Sequence, residues 1–490
     1  MLPSASSPAP AVRRLAAALY GYAFLGELVL LYPFFALLFR DTGLTVAQIS
    51  TLFMIWTVAG VVLEVPSGAL ADTVSRRLLL VVAPLLAAAG FVLWTAVPSY
   101  PAFAAGFVLW GAGGALASGT LEALVWTELD RLGATDRYAR LTGRARTAEL
   151  LGVMTAAALA GPVLTAGGHR AVGAASVLAC LLAAVVATRL PEHRPTPTPG
   201  PTSTAGPTST PGFIPTGVVD TSVTGSTPTG SAPTGAAPSS AVAAGIAAGP
   251  LAGPGGDRPD LGWWGSLRAG VTETRTNPRV RGAVLLVPAV GAVWGALDEY
   301  TPLLAVETGV AEATVPLLLL LTWAGLTLGG LLVPAAHRLG GYAQPVLLTV
   351  AALALAGGAA SGHPAGMALV GVAFCAFQIA TVLVDERLQA RITGPSRATV
   401  TSLAGMAENL ATLATYAGYA WAATAYGHRW AFVLAAAPYL VLAAALLFRG
   451  RRRDQDWPGT QRVCAAPGGG RLPEPEGTWE PSSSQWSSSR

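Results

Sequence analysis

The sequence predicts an all-α integral membrane protein with about twelve transmembrane helices, six before and six after a long polar linker. Only 11% of its 490 residues are charged and 52% are hydrophobic, whereas roughly a quarter of the residues in a soluble domain are charged. The apolar residues also lie in long uninterrupted runs, and a helix needs about 20 of them to cross a bilayer. These observations exclude a soluble multidomain protein.

The first half of the chain contains six such runs, at 15–39, 47–70, 78–97, 102–126, 148–166 and 171–187. The second half contains six more, at 282–306, 314–336, 345–360, 364–384, 398–426 and 430–448. The first run is too long for the apolar core of a signal peptide, and no clear cleavage site follows it. We therefore expect it to be a retained span.

The polar segments define the predicted domain organisation. Residues 1–14 precede a first six-helix unit at 15–190, and 282–449 forms the second unit. Between them, 191–259 is rich in Pro, Thr, Ser, Gly and Ala, which favours a disordered linker. The segment 260–281 places Trp263 and Trp264 near Arg268, a pattern typical of an interfacial helix. The Ser-rich tail, 450–490, is also predicted to be disordered.

All the basic side chains are arginines, and those in the short loops between runs lie mainly in the loops after even-numbered runs. These are Arg76, Arg77, Arg131, Arg137, Arg140, Arg144, Arg146, Arg338, Arg387, Arg391 and Arg397. The opposite loops hold only Arg40, Arg170 and Arg429. Because basic residues in short loops stay in the cytoplasm, we predict cytoplasmic termini and a cytoplasmic linker, in the plasma (inner) membrane. Such dispersed charge forms no nucleic-acid-binding patch.

The loop after the second run carries the most specific motif, Gly68-Ala-Leu-Ala-Asp72-Thr-Val-Ser-Arg76-Arg77. It resembles the signature of the major facilitator superfamily, Gly-x-x-x-Asp-Arg-x-Gly-Arg-Arg. Thr73 and Ser75 replace the usual Arg and Gly, and loss of that Gly is expected to restrict the turn. A weaker second copy, at 334–341, ends the eighth run, as a repeated half would require.

This resemblance covers the chain except for the linker and the tail. It implies two six-helix bundles around a substrate cavity near the bilayer midplane, and hence a secondary transporter that works by alternating access. Within the motif, Asp72 would contact the positive N-terminal end of the helix predicted at 398–426, near Ala398, and form a latch that holds the cytoplasmic side closed. Arg76 and Arg77 would complete this latch or bind anionic headgroups. Alternatively, all three residues only determine topology.

Acidic side chains inside the apolar runs are candidates for proton coupling or substrate binding, because an embedded charge is costly. They are Glu27, Glu64, Glu122, Asp298, Glu299 and Glu408. None has an Arg within its own apolar run. A carboxyl group without a basic partner in lipid is either protonated or neutralised by a cationic substrate, so proton coupling and cationic cargo are favoured over an anionic substrate.

Each acid also has a structural alternative. Glu122 would hydrogen-bond to neighbouring helices, and Glu64, before Pro66, would serve as a polar contact between helices. Asp298 and Glu299 are interpreted as solvated in an outer vestibule. Glu27 lies deepest and is the preferred proton-coupling residue. The remaining acids near the cytoplasmic ends are interpreted as partners of nearby Arg residues: Glu149, Asp385 and Glu386.

The fifth run contains Gly152 and Gly161-Pro162. It resembles a degraded form of the glycine-and-proline motif that antiporters of the superfamily carry in this helix, and this resemblance favours export. Close packing of helices is the alternative explanation for small residues here.

Three functions remain open at this stage. The leading hypothesis is proton-coupled export of small hydrophobic or cationic compounds, with the bilayer, protons and the substrate as partners of a functional monomer. The alternatives are a proton-coupled uptake symporter for a sugar or other nutrient, and a non-transporting membrane sensor or anchor. The sequence contains no nucleotide loop, nucleophile elbow or metal-ligand spacing, so we expect neither an enzyme, a cofactor nor a metal.

Overall fold

The computed structural model describes residues 8–193, 268, 271–272, 274–392 and 397–455, and this part of the chain is built from helices and short turns. Seven α-helices form the N-terminal half: α1 (Pro8–Glu27), α2 (Phe35–Asp41), α3 (Val46–Thr73), α4 (Arg76–Ala96), α5 (Tyr100–Ala117), α6 (Thr120–Arg131) and α7 (Tyr138–Ala187). Among the described residues from 278 onward, six more helices follow: α8 (Pro278–Asp298), α9 (Thr301–Glu307), α10 (Val315–Ala336), α11 (Ala343–Ser361), α12 (Gly366–Arg391) and α13 (Arg397–Gln455).

Among the described residues, nine helical segments are long and apolar enough to cross a membrane. Three of these segments, Thr135–Ala187, Glu312–Ser361 and Thr399–Phe448, are 50 to 53 residues long. Each is interrupted by a glycine in a left-handed conformation: Gly168 at φ +65°, Gly340 at φ +55° and Gly427 at φ +83°. A straight helix of that length would measure about 75 Å, far more than the roughly 30 Å of a bilayer core.

The two halves begin with the same local pattern. Helix α1 ends at Glu27, and after a 3-10 turn (Tyr32–Phe34) the chain continues as the short α2; α8 ends at Asp298, and after a two-residue turn the chain continues as the short α9. Both short helices end in a Thr-Gly turn, in which Gly43 has φ +84° and Gly309 has φ +85°. Only glycine adopts this conformation without strain. The repeat extends the sequence similarity already seen between 68–77 and 334–341.

Buried aromatic and aliphatic side chains form one large cluster that includes residues of both halves, and a second cluster lies within the N-terminal half. Large apolar side chains elsewhere are exposed, for example Val62 (61%), Leu331 (72%) and Leu353 (60%). Exposed aliphatic side chains along helices that are long enough to cross a bilayer indicate a surface facing lipid.

The halves contact each other near the turns that precede α3 and α10, and we call this region the closed end. The Arg40 Nη2 atom lies 2.5 Å from Glu312 Oε1. The Ser50 and Tyr300 hydroxyls are hydrogen-bonded at 2.6 Å, and the Phe53 ring packs edge-on against Tyr300 with its centroid 5.2 Å away. All three contacts join α2 or α3 to the C-terminal half.

Residues 448–490 form a separate unit, which the structure describes as helical up to Gln455. The predicted linker from 194 to 259 and the predicted tail from 456 to 490 lie outside the described residues. So do Trp263 and Trp264, on which the predicted interfacial helix depends.

Candidate functional site

A cavity of about 300 Å³ lies among the helices of the N-terminal half, with walls from α1, α4, α5, α6 and α7. Gly114 on α5 leaves room for it, since a Cβ atom there would meet nothing within 4 Å, and aromatic rings line it: Tyr22, Tyr32, Phe91 and Trp110. Apolar walls combined with a few polar groups are typical of sites for small molecules, and this volume fits a metabolite or a small drug.

Four charged side chains line this cavity, and we call them the charged cluster: Glu27, Glu122, Arg146 and Glu149. Arg146 Nη1 lies 2.9 Å from Glu149 Oε2. The guanidinium also interacts electrostatically with Glu122 and Glu27. The prediction that the embedded acids lack a basic partner is therefore wrong for this cavity, because Arg146 reaches it from an adjacent helix. With every group ionised, the cluster would still carry an excess of two negative charges.

Helix packing positions Glu27 in the cluster. A Cβ atom on Gly152 of α7 would lie 2.4 Å from the Phe24 carbonyl oxygen and 3.2 Å from Glu27 Cβ, so α7 and α1 approach closely here. Small residues permit such backbone contact between helices. Because Glu27 is also the last residue of α1, its carboxyl group lies at a helix end beside α7, where Arg146 and Glu149 lie.

Glu122 reaches the cavity through a break between α5 and α6. Gly119, at φ +68°, separates the two helices, and Glu122 follows in the first turn of α6. A carboxylate in the first turn is stabilised by the helix dipole.

Of the residues that line the cavity, only Glu27 and Glu122 were among the site residues predicted from the sequence; Arg146, Tyr22 and Tyr32 were not. Arg146 precedes Glu149 by three positions on one helix, a spacing that brings side chains together, and the predicted pairing of Glu149 with an Arg is confirmed. What the spacing could not show is that this pair faces a cavity. Glu386 differs from its prediction, since it pairs with His337 at 3.2 Å.

Asp298 and Glu299 are buried, with exposed fractions of 8% and 4%. They line a small pocket with Tyr32, Phe35 and Trp323 at the junction of the two halves. The prediction that they are solvated in an outer vestibule is wrong, because the closed end covers them with aromatic rings.

Glu408 and Glu64 are not among the residues that line the cavity. Glu408 packs against α8: a Cβ atom on Gly291 would lie 2.1 Å from Glu408 Oε1, so only glycine leaves space for this carboxyl group. Glu64 is half-buried on α3, where its backbone carbonyl accepts a hydrogen bond from Ser67 at 2.8 Å. Their predicted roles in coupling stay predictions.

The signature motif forms the turn between α3 and α4. Gly68 and Asp72 belong to α3, but their side-chain environment lies outside the described residues, so the latch between Asp72 and the region of Ala398 stays a prediction. Ser75 is the N-cap of α4, with φ −60° and ψ 121°, and accepts a hydrogen bond from the Leu78 N–H at 3.2 Å. The expected restriction from losing Gly is therefore absent, because this extended conformation suits any residue.

Arg76 and Arg77 form hydrogen bonds with residues of the N-terminal half, to which they themselves belong. The Arg76 side chain donates to Thr127 Oγ1 at 3.0 Å. The Glu192 carboxylate accepts hydrogen bonds from the backbone N–H groups of Arg76, at 2.8 Å, and Arg77, at 3.2 Å, and from the Ser75 hydroxyl. A carboxylate at this position satisfies the free N–H groups of the first turn of α4.

His193, the residue after Glu192, also contacts the N-terminal half. Its backbone N–H donates a hydrogen bond to the buried Glu128 at 2.7 Å, and Arg131 pairs with Glu128 at 3.1 Å. Residues 191–193, at the start of the predicted linker, thus have defined positions on the N-terminal half.

The glycine and proline residues of the fifth predicted run, which lie in α7, take part in two different contacts. Gly152 lies against α1, as described above, whereas a Cβ atom on Gly161 would lie 2.2 Å from the carbonyl oxygen of Ala313 in the C-terminal half. Pro162 follows inside α7. Gly161 is thus part of the closed end, and its role in export stays a prediction.

The sequence profile of the major facilitator superfamily matches residues 16–394. The chain belongs to the major facilitator superfamily. Its family and its structural neighbours indicate a membrane transporter rather than an enzyme. Among curated protein sequences, none matches this one significantly.

Solved structures with the same fold include the nucleoside transporter NupG, at 12% identity and a TM-score of 0.63, with 90% of this chain and 98% of NupG covered. A bacterial homolog of the human lysosomal transporter Spinster, in an inward-facing and unoccupied conformation, has 14% identity and a TM-score of 0.63, with 92% and 98% covered. The POT family transporter PepTSo has 11% identity and a TM-score of 0.59, with 91% and 99% covered. Similarity at this level concerns the fold alone.

Proposed function

We propose that this member of the superfamily is a proton-coupled exporter of small hydrophobic or cationic compounds, and that the N-terminal cavity binds them. The observation that supports this proposal is the excess of acidic over basic side chains in the charged cluster. A cationic group would pair with Glu27 or Glu122, and an apolar or aromatic body would pack on Tyr22, Tyr32 and Trp110.

The proposed topology has twelve crossings, because each of the three segments of 50 to 53 residues would cross the bilayer twice on either side of its glycine break. The units 15–190 and 282–449 would be the two bundles, with both termini and the linker in the cytoplasm of a plasma-membrane protein. The closed end would then face outward, and the structure would represent an inward-open conformation. A single chain contains the whole cavity, which supports a functional monomer.

In the proposed cycle, Glu27 exchanges its proton for the cationic group of the cargo. The cargo binds from the cytoplasm, the closed end opens, and a proton from outside displaces the cargo. Inward proton movement supplies about 2.3 kcal/mol per charge for each 100 mV of membrane potential. Asp72, Arg76 and Arg77 would close the cytoplasmic side when the outer side opens.

A second candidate function is uptake of a nutrient together with protons. Arg146 favours it, because a guanidinium in the cavity can donate hydrogen bonds to hydroxyl or acidic groups of a substrate. The predicted preference for cationic cargo therefore depends on whether Arg146 stays paired with Glu149 when the substrate binds.

The sign of proton movement tests the proposal. In everted vesicles with an acidic lumen, adding a lipophilic cation such as ethidium should raise the luminal pH if the protein exchanges cargo for protons. A symporter would acidify the lumen or leave it unchanged when its substrate is added. Glu27→Gln should abolish the response, whereas Asp136→Asn, which changes an exposed acid in the turn before α7, should retain it. A normal response from Glu27→Gln would refute the assigned role of Glu27.

A further inference from the structure

Three side chains with metal-binding chemistry meet at the closed end. Asp41 is the last residue of α2, His169 follows the glycine break in α7, and Glu312 precedes α10. One ligand atom from each lies within 4.8 Å of the ligand atoms of the other two. Asp41 and His169 belong to the N-terminal half and Glu312 to the C-terminal half, so the group spans the boundary between the halves.

His169 provides an independent indication of a ligand. Its Nε2 atom is buried and has no hydrogen-bond partner among the described residues. The ring packs edge-on against Phe34, with centroids 6.3 Å apart and an interplanar angle of 84°. Buried polar atoms in native proteins nearly always have a partner, and a neutral imidazole nitrogen is the commonest protein ligand for transition metals.

Arg40 already supplies a positive charge to the two carboxylates, so any metal ion would have to compete with it. Its Nη2 atom lies 2.8 Å from Asp41 Oδ1 and 2.5 Å from Glu312 Oε1, so it joins the two carboxylates across the boundary. Arg40 and Asp41 are each 36% exposed, and Glu312 is 31% exposed. The guanidinium can therefore turn into solvent and leave both carboxylates to another cation.

We propose that Asp41, His169 and Glu312 form a site for a divalent transition-metal ion of the Zn²⁺ type, which binds from the closed end and holds the halves together. One imidazole nitrogen, two carboxylate oxygens and a water molecule form a normal zinc coordination sphere. Tetrahedral ligands at zinc distances lie about 3.4 Å apart, so the three ligand atoms need to approach each other by at most about 1.4 Å. Rotamer changes of partly exposed side chains provide this movement.

A ligand that binds one conformation more tightly than the other shifts the equilibrium toward that conformation. An ion that needs ligands from both halves binds only the conformation in which the closed end is closed, and therefore favours that conformation. Bound Zn²⁺ should thus slow the opening of the closed end. This effect on transport rests on the proposed function, whereas binding and closure depend only on the site.

The experiment uses tag-free, full-length protein and measures Zn²⁺ binding by isothermal titration calorimetry. His169→Ala should weaken binding by about tenfold or more, and Glu312→Gln should also weaken it. His363→Ala, at an exposed histidine in the turn before α12, should leave it unchanged. Arg40→Gln should tighten binding because it removes the competing cation; a purely structural cluster predicts no such gain. Mg²⁺ should not compete.

Closure is measured separately by double electron–electron resonance, with spin labels on the exposed Ala47 and Ala311 in a background without other cysteines. Zn²⁺ should increase the short-distance population in the wild type and leave it unchanged in His169→Ala. Equal Zn²⁺ affinity in wild type and His169→Ala, or an equal loss in His363→Ala, would overturn the site. Zn²⁺ binding without a change in the distance distribution would overturn the proposal that the ion holds the two halves together. Neither readout depends on cargo, so a failure to transport counts against the proposed function alone.

Discussion

Gly161→Ala should shift the equilibrium between the two conformations of this transporter without unfolding it. The added Cβ atom would lie 2.2 Å from the carbonyl oxygen of Ala313 in the opposite half. The two backbones must separate by about 1 Å to restore ordinary contact, and overpacking of this kind typically costs about 1–3 kcal/mol. This cost arises only while the closed end is closed. The population ratio should therefore change about 5- to 150-fold toward the conformation in which that end is open.

The measurement is the distance distribution between spin labels on Ala47 and Ala311, compared with the thermal stability of each variant. Two glycines of the same helix provide matched controls. Gly143→Ala adds a Cβ atom that meets nothing within 4 Å, so it reports the gain in helix propensity alone. Gly152→Ala places its Cβ atom 2.4 Å from the Phe24 carbonyl oxygen within the same half, so it should lower stability in both conformations.

The expected pattern is a longer distance in Gly161→Ala, a lower melting temperature in Gly152→Ala, and neither change in Gly143→Ala. If the distance distribution in Gly161→Ala matches that in Gly143→Ala, the close approach of Gly161 to Ala313 does not hold the halves together, and the expected shift is wrong.

Three further predictions concern other contacts. Ser50→Ala removes the 2.6 Å hydrogen bond to Tyr300 and should weaken the closed end by about 0.5–1.5 kcal/mol, seen as a smaller shift in the same distance measurement; Tyr300→Phe should match it. Glu192→Gln removes the carboxylate that caps α4 and should cost about 0.5–2 kcal/mol of stability, measured as a lower denaturation midpoint; an unchanged midpoint would show that the cap contributes nothing. Gly291→Ala should displace the Glu408 carboxyl group, because the new Cβ atom would lie 2.1 Å from Glu408 Oε1, and should reproduce the transport phenotype of Glu408→Gln; a wild-type phenotype for Gly291→Ala alone would contradict this.

The class and family of the protein followed from short-range features of the chain. Long apolar runs predict membrane helices, because any backbone in lipid must satisfy its own hydrogen bonds. The motif from Gly68 to Arg77 predicted the superfamily, and the matching profile confirms it. Of the embedded acids, Glu27 and Glu122 both line the cavity.

The errors share one physical origin. Arg146 lies before the fifth predicted run, so it was treated as a loop residue, yet α7 continues through it and carries it to the cavity. Asp298 was interpreted as solvated because it lies toward the outer part of the seventh run, yet residues of both halves cover it. In each case the environment of a charge depends on helices that are distant in sequence.

The amino-acid order alone was enough to predict a helical, membrane-embedded member of this superfamily, because hydrophobic run length and a local turn motif are properties of consecutive residues. The folded chain was needed to show which side chains share a cavity, that Glu192 caps α4, and that Arg40 and Gly161 bridge the halves. The contacts of Glu192, Arg40 and Gly161 join residues more than a hundred positions apart, and hydropathy along the chain carries no information about which face of one helix meets another.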